Sequence, residues 1–139
     1  MNIEDCLKEG FLEKIKPEKD LIEKEFREAE YDFKRAEDAL SKKDTKWSII
    51  MSYYSMFHSA RALLFHSGLK ERRHFAIAVV LEDLVKRGKL KSRFVSDFHA
   101  AMSAREDADY RYTYSEETAS YLIDAAKEFF VTMRSMTRK

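Results

Sequence analysis

The segment Arg105-Glu106-Asp107-Ala108-Asp109-Tyr110-Arg111-Tyr112 sets two guanidinium groups among three carboxylates and two phenols. Arg105 also falls on the line Phe94, Phe98, Ala101, Arg105, Ala108, Tyr112, whose spacing is that of the buried face of a helix. An arginine turned toward a core needs acceptors, because a lone buried guanidinium strands its donors and its charge. Asp109, one helical turn further on, is placed to pair with it. Such a pair either fixes helix register or holds a planar cation ready for an anion, above all a phosphate.

The four histidines are the other groups suited to proton transfer near neutral pH. His58 and His66 share one predicted helix, and a histidine on a mostly apolar helix is ordinarily a satisfied core or interface residue. His74 follows Arg73 at the start of the next helix, where capping of the loop competes with ligand binding. His99 lies on the helix after that. Glu71-Arg72-Arg73-His74 has the spacing of a di-iron ligand pair, but such a centre needs that pair twice, and no second copy exists, so no metal site is expected. There is no glycine-rich phosphate loop, nucleophile elbow or cysteine-histidine pair, and no cofactor is expected.

These groups sit in a chain whose composition favours helices. Three glycines and one proline in 139 residues leave little material for the tight turns of a sheet protein. The hydrophobic share of 45% suffices for a core. A net charge of +1 means that any nucleic-acid surface must come from local clustering. Cys6 has no partner for a disulfide, which points to a reducing compartment. No apolar run approaches membrane-spanning length and no leader peptide is evident, so the expected location is cytoplasmic, with no membrane partner.

A short first helix, Ile3–Glu9, is closed by Gly10. Pro17 is expected in the first turn of a second helix over 18–40, with a stripe at Leu21, Ile22, Phe26, Ala29, Phe33, Ala36 and Leu40. Asp44 or Thr45 caps a third helix that runs to Gly68. That helix is apolar nearly all round, which places it at the centre of the bundle or puts one side in a subunit interface. Its aromatic residues Trp47, Tyr53, Tyr54 and Phe57 read as core and interface. A fourth helix is expected over 72–87, a fifth begins at Ser92, and Ser115 caps a sixth. The fold class is all-α: an antiparallel bundle of four or five long helices in one domain over 1–139, with a short helix and loop over 1–16. Basic residues at both ends of the fourth helix, Lys70, Arg72 and Arg73 at one and Lys86, Arg87, Lys89, Lys91 and Arg93 at the other, read as a solvated surface unless they flank Arg105.

The segments Ser52-Tyr53-Tyr54-Ser55-Met56-Phe57-His58-Ser59-Ala60-Arg61-Ala62-Leu63-Leu64 and Ala104-Arg105-Glu106-Asp107-Ala108-Asp109-Tyr110, with Arg73-His74 between them, resemble the HEPN domain in its UPF0332-type branch. The resemblance implies a helical bundle that forms a side-by-side homodimer, with a polar interface groove lined by the motif arginine of each subunit. It also implies a minimal nucleotidyltransferase as partner in a toxin–antitoxin-type pair. Ribonucleases of this family carry an arginine, four to six residues and then a histidine, and cut RNA without metal. Arg105 matches the arginine, whereas Tyr110 stands where the histidine would be. A phenol with an ordinary pKa near ~10 is a poorer proton shuttle than an imidazole near ~6.5. Tyr112 falls where some family toxins carry a tyrosine that the transferase adenylylates, and His74 matches the family's histidine after the inter-helix loop.

The expected function is therefore a homodimer that binds RNA or a nucleotide around Arg105, Asp109, Tyr112, His74 and Arg73. If it cleaves RNA, Arg105 would stabilise the phosphorane, and Tyr110 or His58 would move the proton. The rival is a non-catalytic interaction module, or a substrate of the transferase modified at Tyr112.

Overall fold

The computed structural model describes residues 1–138. Six helices pack as a bundle: α1 (Ile3–Glu9), α2 (Lys19–Ser41), α3 (Thr45–His66), α4 (Phe75–Lys86), α5 (Ser92–Tyr110) and α6 (Glu116–Thr137). Two short strands, β1 (Leu12–Lys14) and β2 (Leu69–Glu71), pair antiparallel. No helix among the described residues is long and apolar enough to cross a membrane.

The helix ends follow the expected chemistry. Asn2 forms a capping box with Asp5, and the side chains of Asp44 and Ser115 accept from the backbone N–H of Trp47 and Thr118. Two boundaries differ from expectation. Pro17 lies ahead of the N-cap residue Glu18 and not in the first turn of α2. α4 starts at Phe75, because β2 takes Leu69–Glu71 and the Arg72 N–H after it donates to the Phe11 carbonyl at 2.8 Å.

β1 and β2 are the part that the sequence did not announce. Each is three residues long, too short for an alternating pattern to register, and the partners lie far apart along the chain. The register pairs Leu12 with Glu71, Glu13 with Lys70 and Lys14 with Leu69. Gly68 makes the approach possible: its φ is 76°, and a Cβ there would lie 3.3 Å from the Ile15 carbonyl oxygen, so a residue without a side chain lets the two segments close up.

α3 is the axis of the bundle. It packs against α2, α4, α5, α6 and β2. Toward α2 it presents Ser48, Ser52, Ser55 and Ser59, all fully buried. Small residues let the two backbones approach closely, and the hydroxyls of Ser48 and Ser55 donate to the Ala36 and Ala29 carbonyls at 2.9 and 2.8 Å. Elsewhere the core is aromatic, with Phe98 and Phe129 stacked at 5.8 Å between α5 and α6.

Candidate functional site

From Ser48 to Phe65, the α3 residues that reach the surface are Met51, Tyr54, His58 and Arg61, continuing the line from half-exposed Trp47. Their spacing of four, three, four and three traces one stripe along the helix. Trp47 is 48% exposed and so is not a core residue, whereas Tyr53 and Phe57 are buried as expected. Two separate groups of polar side chains gather along that stripe.

The first group surrounds Arg105. α5 runs antiparallel to α3, which brings Arg105 level with Tyr53 and Tyr54. Its guanidinium carbon lies 5.6 Å from each of those ring centres and 5.8 Å from that of Tyr110. One nitrogen donates to the Tyr54 hydroxyl at 3.1 Å. Asp109 is 3.7 Å away, close enough for attraction but too far for a hydrogen bond. The Nε–H is buried without an acceptor among the described residues. The side chain is nevertheless 19% exposed. The cation is thus held in place by ring faces more than by charge, with most of its donors uncommitted. Tyr53 beneath it is fully buried, and burial pushes its phenol up to about 12. His74 joins this group, with Nδ1 at 3.4 Å from the Tyr53 hydroxyl.

The second group is ionic and lies further along the stripe. His58 Nδ1 is 3.0 Å from Glu25 Oε1, and Nε2 is 3.6 Å from Asp32 Oδ2. Arg61 donates to Glu71 at 3.1 Å and lies 3.8 Å from Glu25. Glu25 and Glu71 are 9% and 8% exposed, so both carboxylates depend on these partners. Burial raises the Asp32 carboxyl, and the nearby His58 opposes that shift. Both ring nitrogens of His58 are thus turned to carboxylates.

The sequence reading missed Glu25 and Asp32, and weighed Glu71 only as a ligand beside His74. A signal was present: Glu25 lies three residues after Ile22 and four before Ala29, on the buried face of α2. Glu71 and His74 do not converge, since the first meets Arg61 and the second Tyr53. Among the described residues no group of His, Cys, Asp and Glu is placed to hold a metal ion.

Tyr112 departs from the line on which its spacing placed it. α5 ends at Tyr110, and Tyr112 follows with φ 55°, a left-handed conformation uncommon for a bulky side chain. The Thr113 N–H closes the turn on the Asp107 carbonyl at 3.0 Å. The Tyr112 ring is 76% exposed, with the Lys46 ammonium 5.7 Å from its centre. Tyr110 also points outward, while Arg111 pairs with Asp107 at 2.8 Å.

Of the two basic ends of α4, only the one carrying Arg73 adjoins the Arg105 group, through its neighbour His74. Arg93 is twelve residues up α5 from Arg105, roughly 18 Å along the axis. At that other end, His66, Arg87 and Lys89 rim a cavity of about 520 Å³ floored by Leu63, Leu84 and Met136.

Comparison with known proteins matches the HEPN domain model to residues 22–136. Among solved structures, the crystal structure of ST0689, an archaeal HEPN homologue, superposes with a TM-score of 0.60 at 19% identity, covering 84% of this chain and 97% of that one. No curated protein sequence matches.

Proposed function

This chain belongs to the HEPN domain family, and from that premise we propose that it pairs with a second copy along the α3 stripe and holds RNA or a nucleotide by its phosphate at Arg105. The observation that carries this reading is the guanidinium itself. It is positioned by three tyrosine rings, reaches solvent, and spends one hydrogen bond on the protein. A structural ion pair would use its carboxylate at hydrogen-bond distance, whereas Asp109 stands back at 3.7 Å. In this reading Asp109 stands beside the phosphate, Arg73 approaches it from the start of α4 next to His74, and the second copy supplies its own Arg105 from across the seam.

The stripe favours self-association because Trp47, Met51 and Tyr54 offer an apolar and aromatic line at the spacing two helices use to interlock. Light scattering at micromolar concentration is expected to give the mass of two chains, and Met51→Asp is expected to give the mass of one. A wild-type protein that scatters as a single chain under those conditions removes the dimer from this proposal.

Tyr112 supports a second role, as the acceptor for a nucleotidyltransferase partner in a toxin–antitoxin-type pair. Its hydroxyl is displayed at a turn, beside the cationic Lys46 and outside the bundle. Incubation with that transferase and ATP is expected to add the mass of one adenylyl group to the wild type and none to Tyr112→Phe. Equal labelling of both chains would exclude this tyrosine.

A further inference from the structure

The end of the bundle away from Arg105 carries a cavity that phosphate binding at that arginine does not use. Its volume is about 520 Å³, inside the range of about 300–1,000 Å³ common to small-molecule sites. Three helices end there. Leu63 from α3, Leu84 from α4 and Met136 from α6 form the floor, and His66, Arg87 and Lys89 stand round the rim. No carboxylate is among the residues that line it. His66 is twelve residues beyond Tyr54, roughly 18 Å along α3, so this place is distinct from the Arg105 group.

Basic side chains beside helix C-termini ordinarily answer the free carbonyls there. Here backbone donors fill much of that role. The N–H groups of Ser67 and Gly68 reach the Leu63 and Phe65 carbonyls at 3.0 Å each, and those of Gly88 and Lys89 reach the Val85 and Leu84 carbonyls at 3.0 and 2.9 Å. Arg87 sets its Nε 3.3 Å from Asp83 Oδ2, and its two terminal nitrogens hold no ion pair among the described residues. A planar cation and an ammonium are therefore left for an anion. Both are exposed, however, and exposed charge in salt water holds an anion weakly. The floor has to supply the rest: core residues Leu63 and Leu84, with half-buried Met136, close the cavity with hydrocarbon beneath a charged rim.

We propose that this cavity binds a medium-chain carboxylate, with its acid group on Arg87 and Lys89 and its apolar body on Leu63, Leu84 and Met136. An apolar floor under cations fits a molecule with one anionic end. It selects against inorganic phosphate, which has no body to bury, and against a neutral chain, which has no charge to place. His66 adds a ring N–H to the rim and also lines a neighbouring cavity of about 480 Å³ together with Pro17 and Ile22. A chain too long for the first cavity runs past that ring into the second.

Titration of the isotope-labelled chain with sodium decanoate, below the concentration at which it forms micelles, tests this by amide NMR. Shifts are expected at Ser67, Gly88 and Lys89, with the Arg105 and Tyr110 amides unmoved. Decanoate is expected to bind about tenfold or more tightly than hexanoate, because each fully buried methylene contributes about fourfold and this cavity is open on one side. Arg87→Ala combined with Lys89→Ala is expected to weaken decanoate about tenfold and 1-decanol less than about twofold, a split that separates the charged rim from the floor. Both side chains are exposed, so the fold tolerates their loss. Met136→Asp, which sets a like charge on the floor, is expected to abolish decanoate binding, with helix content checked by circular dichroism. Equal affinity for hexanoate and decanoate, shifts scattered over the surface, or wild-type binding by the double variant overturns the proposal. Absence of decanoate binding overturns it as well, and sedimentation of the chain with phosphatidylglycerol vesicles would then assign the basic end to a membrane surface.

Discussion

Arg105→Ala is expected to weaken binding of a single-stranded RNA oligonucleotide about 30-fold, roughly 2 kcal/mol, while leaving the folded state nearly as stable as before. The two halves of this result have different causes. Affinity falls because a guanidinium meets phosphate through charge-assisted hydrogen bonds, and its removal should also flatten the dependence of log affinity on log salt by about 0.7 for each phosphate left without its cation. Stability changes little because the protein gains little from this side chain: Nε–H is buried without an acceptor, and Asp109 is beyond hydrogen-bond reach. The variant gives up the attraction to the rings of Tyr53, Tyr54 and Tyr110, offset by release of that stranded donor. Arg105→Lys should recover only part of the affinity, since an ammonium lacks the flat face that rests between those rings. Fluorescence anisotropy at two salt concentrations, paired with thermal melts, reads both halves. Unchanged affinity with a large drop in melting temperature would instead assign Arg105 to architecture.

The second large effect is a loss of stability in alkali that runs through Tyr53. Its phenol, fully buried, is pushed up to about 12 in the folded chain, whereas an unfolded tyrosine titrates near ~10. A folded-state pKa above the unfolded value means that the unfolded chain releases this proton first. The stabilisation is therefore complete below about pH 10 and disappears as pH rises toward about 12, a change of about 2 kcal/mol. Other tyrosines and the lysines titrate in the same window, so the informative quantity is the difference between wild type and Tyr53→Phe. Denaturant melts should show the two within about 1 kcal/mol of one another at pH 8, with the variant ahead by about 2 kcal/mol at pH 12. Curves that stay parallel across that range would mean that the Tyr53 hydroxyl is in contact with water.

Much of the fold was legible because helix signals are local. The stripe on α2, the caps at Asp44 and Ser115 and the all-round apolar character of α3 each follow from residues within a few turns of one another. The strand pair was not legible, since Leu12–Lys14 and Leu69–Glu71 become strands only by meeting each other. The candidate site divides in the same way. Arg105 stood out because a charge interrupts an apolar stripe, and Asp109 followed from helix geometry. The link from Arg105 through Tyr53 to His74 joins three elements, and no spacing along the chain encodes it. Tyr112 was misplaced because the periodicity of α5 was carried past the turn that ends the helix. For Trp47 the spacing left core and interface open, and at the first turn of α3 it sits at the rim.

The position of α3 has a consequence for how this protein can respond to whatever it binds. No long helix can peel away without baring the axis on which the others lean, so loss of structure should be all or none, with no stable half-folded stage. A signal cannot then be passed by melting one part of the chain. It has to act through whole bodies meeting or separating, or through the short turn after α5, the place where a side chain stands clear of the shared framework.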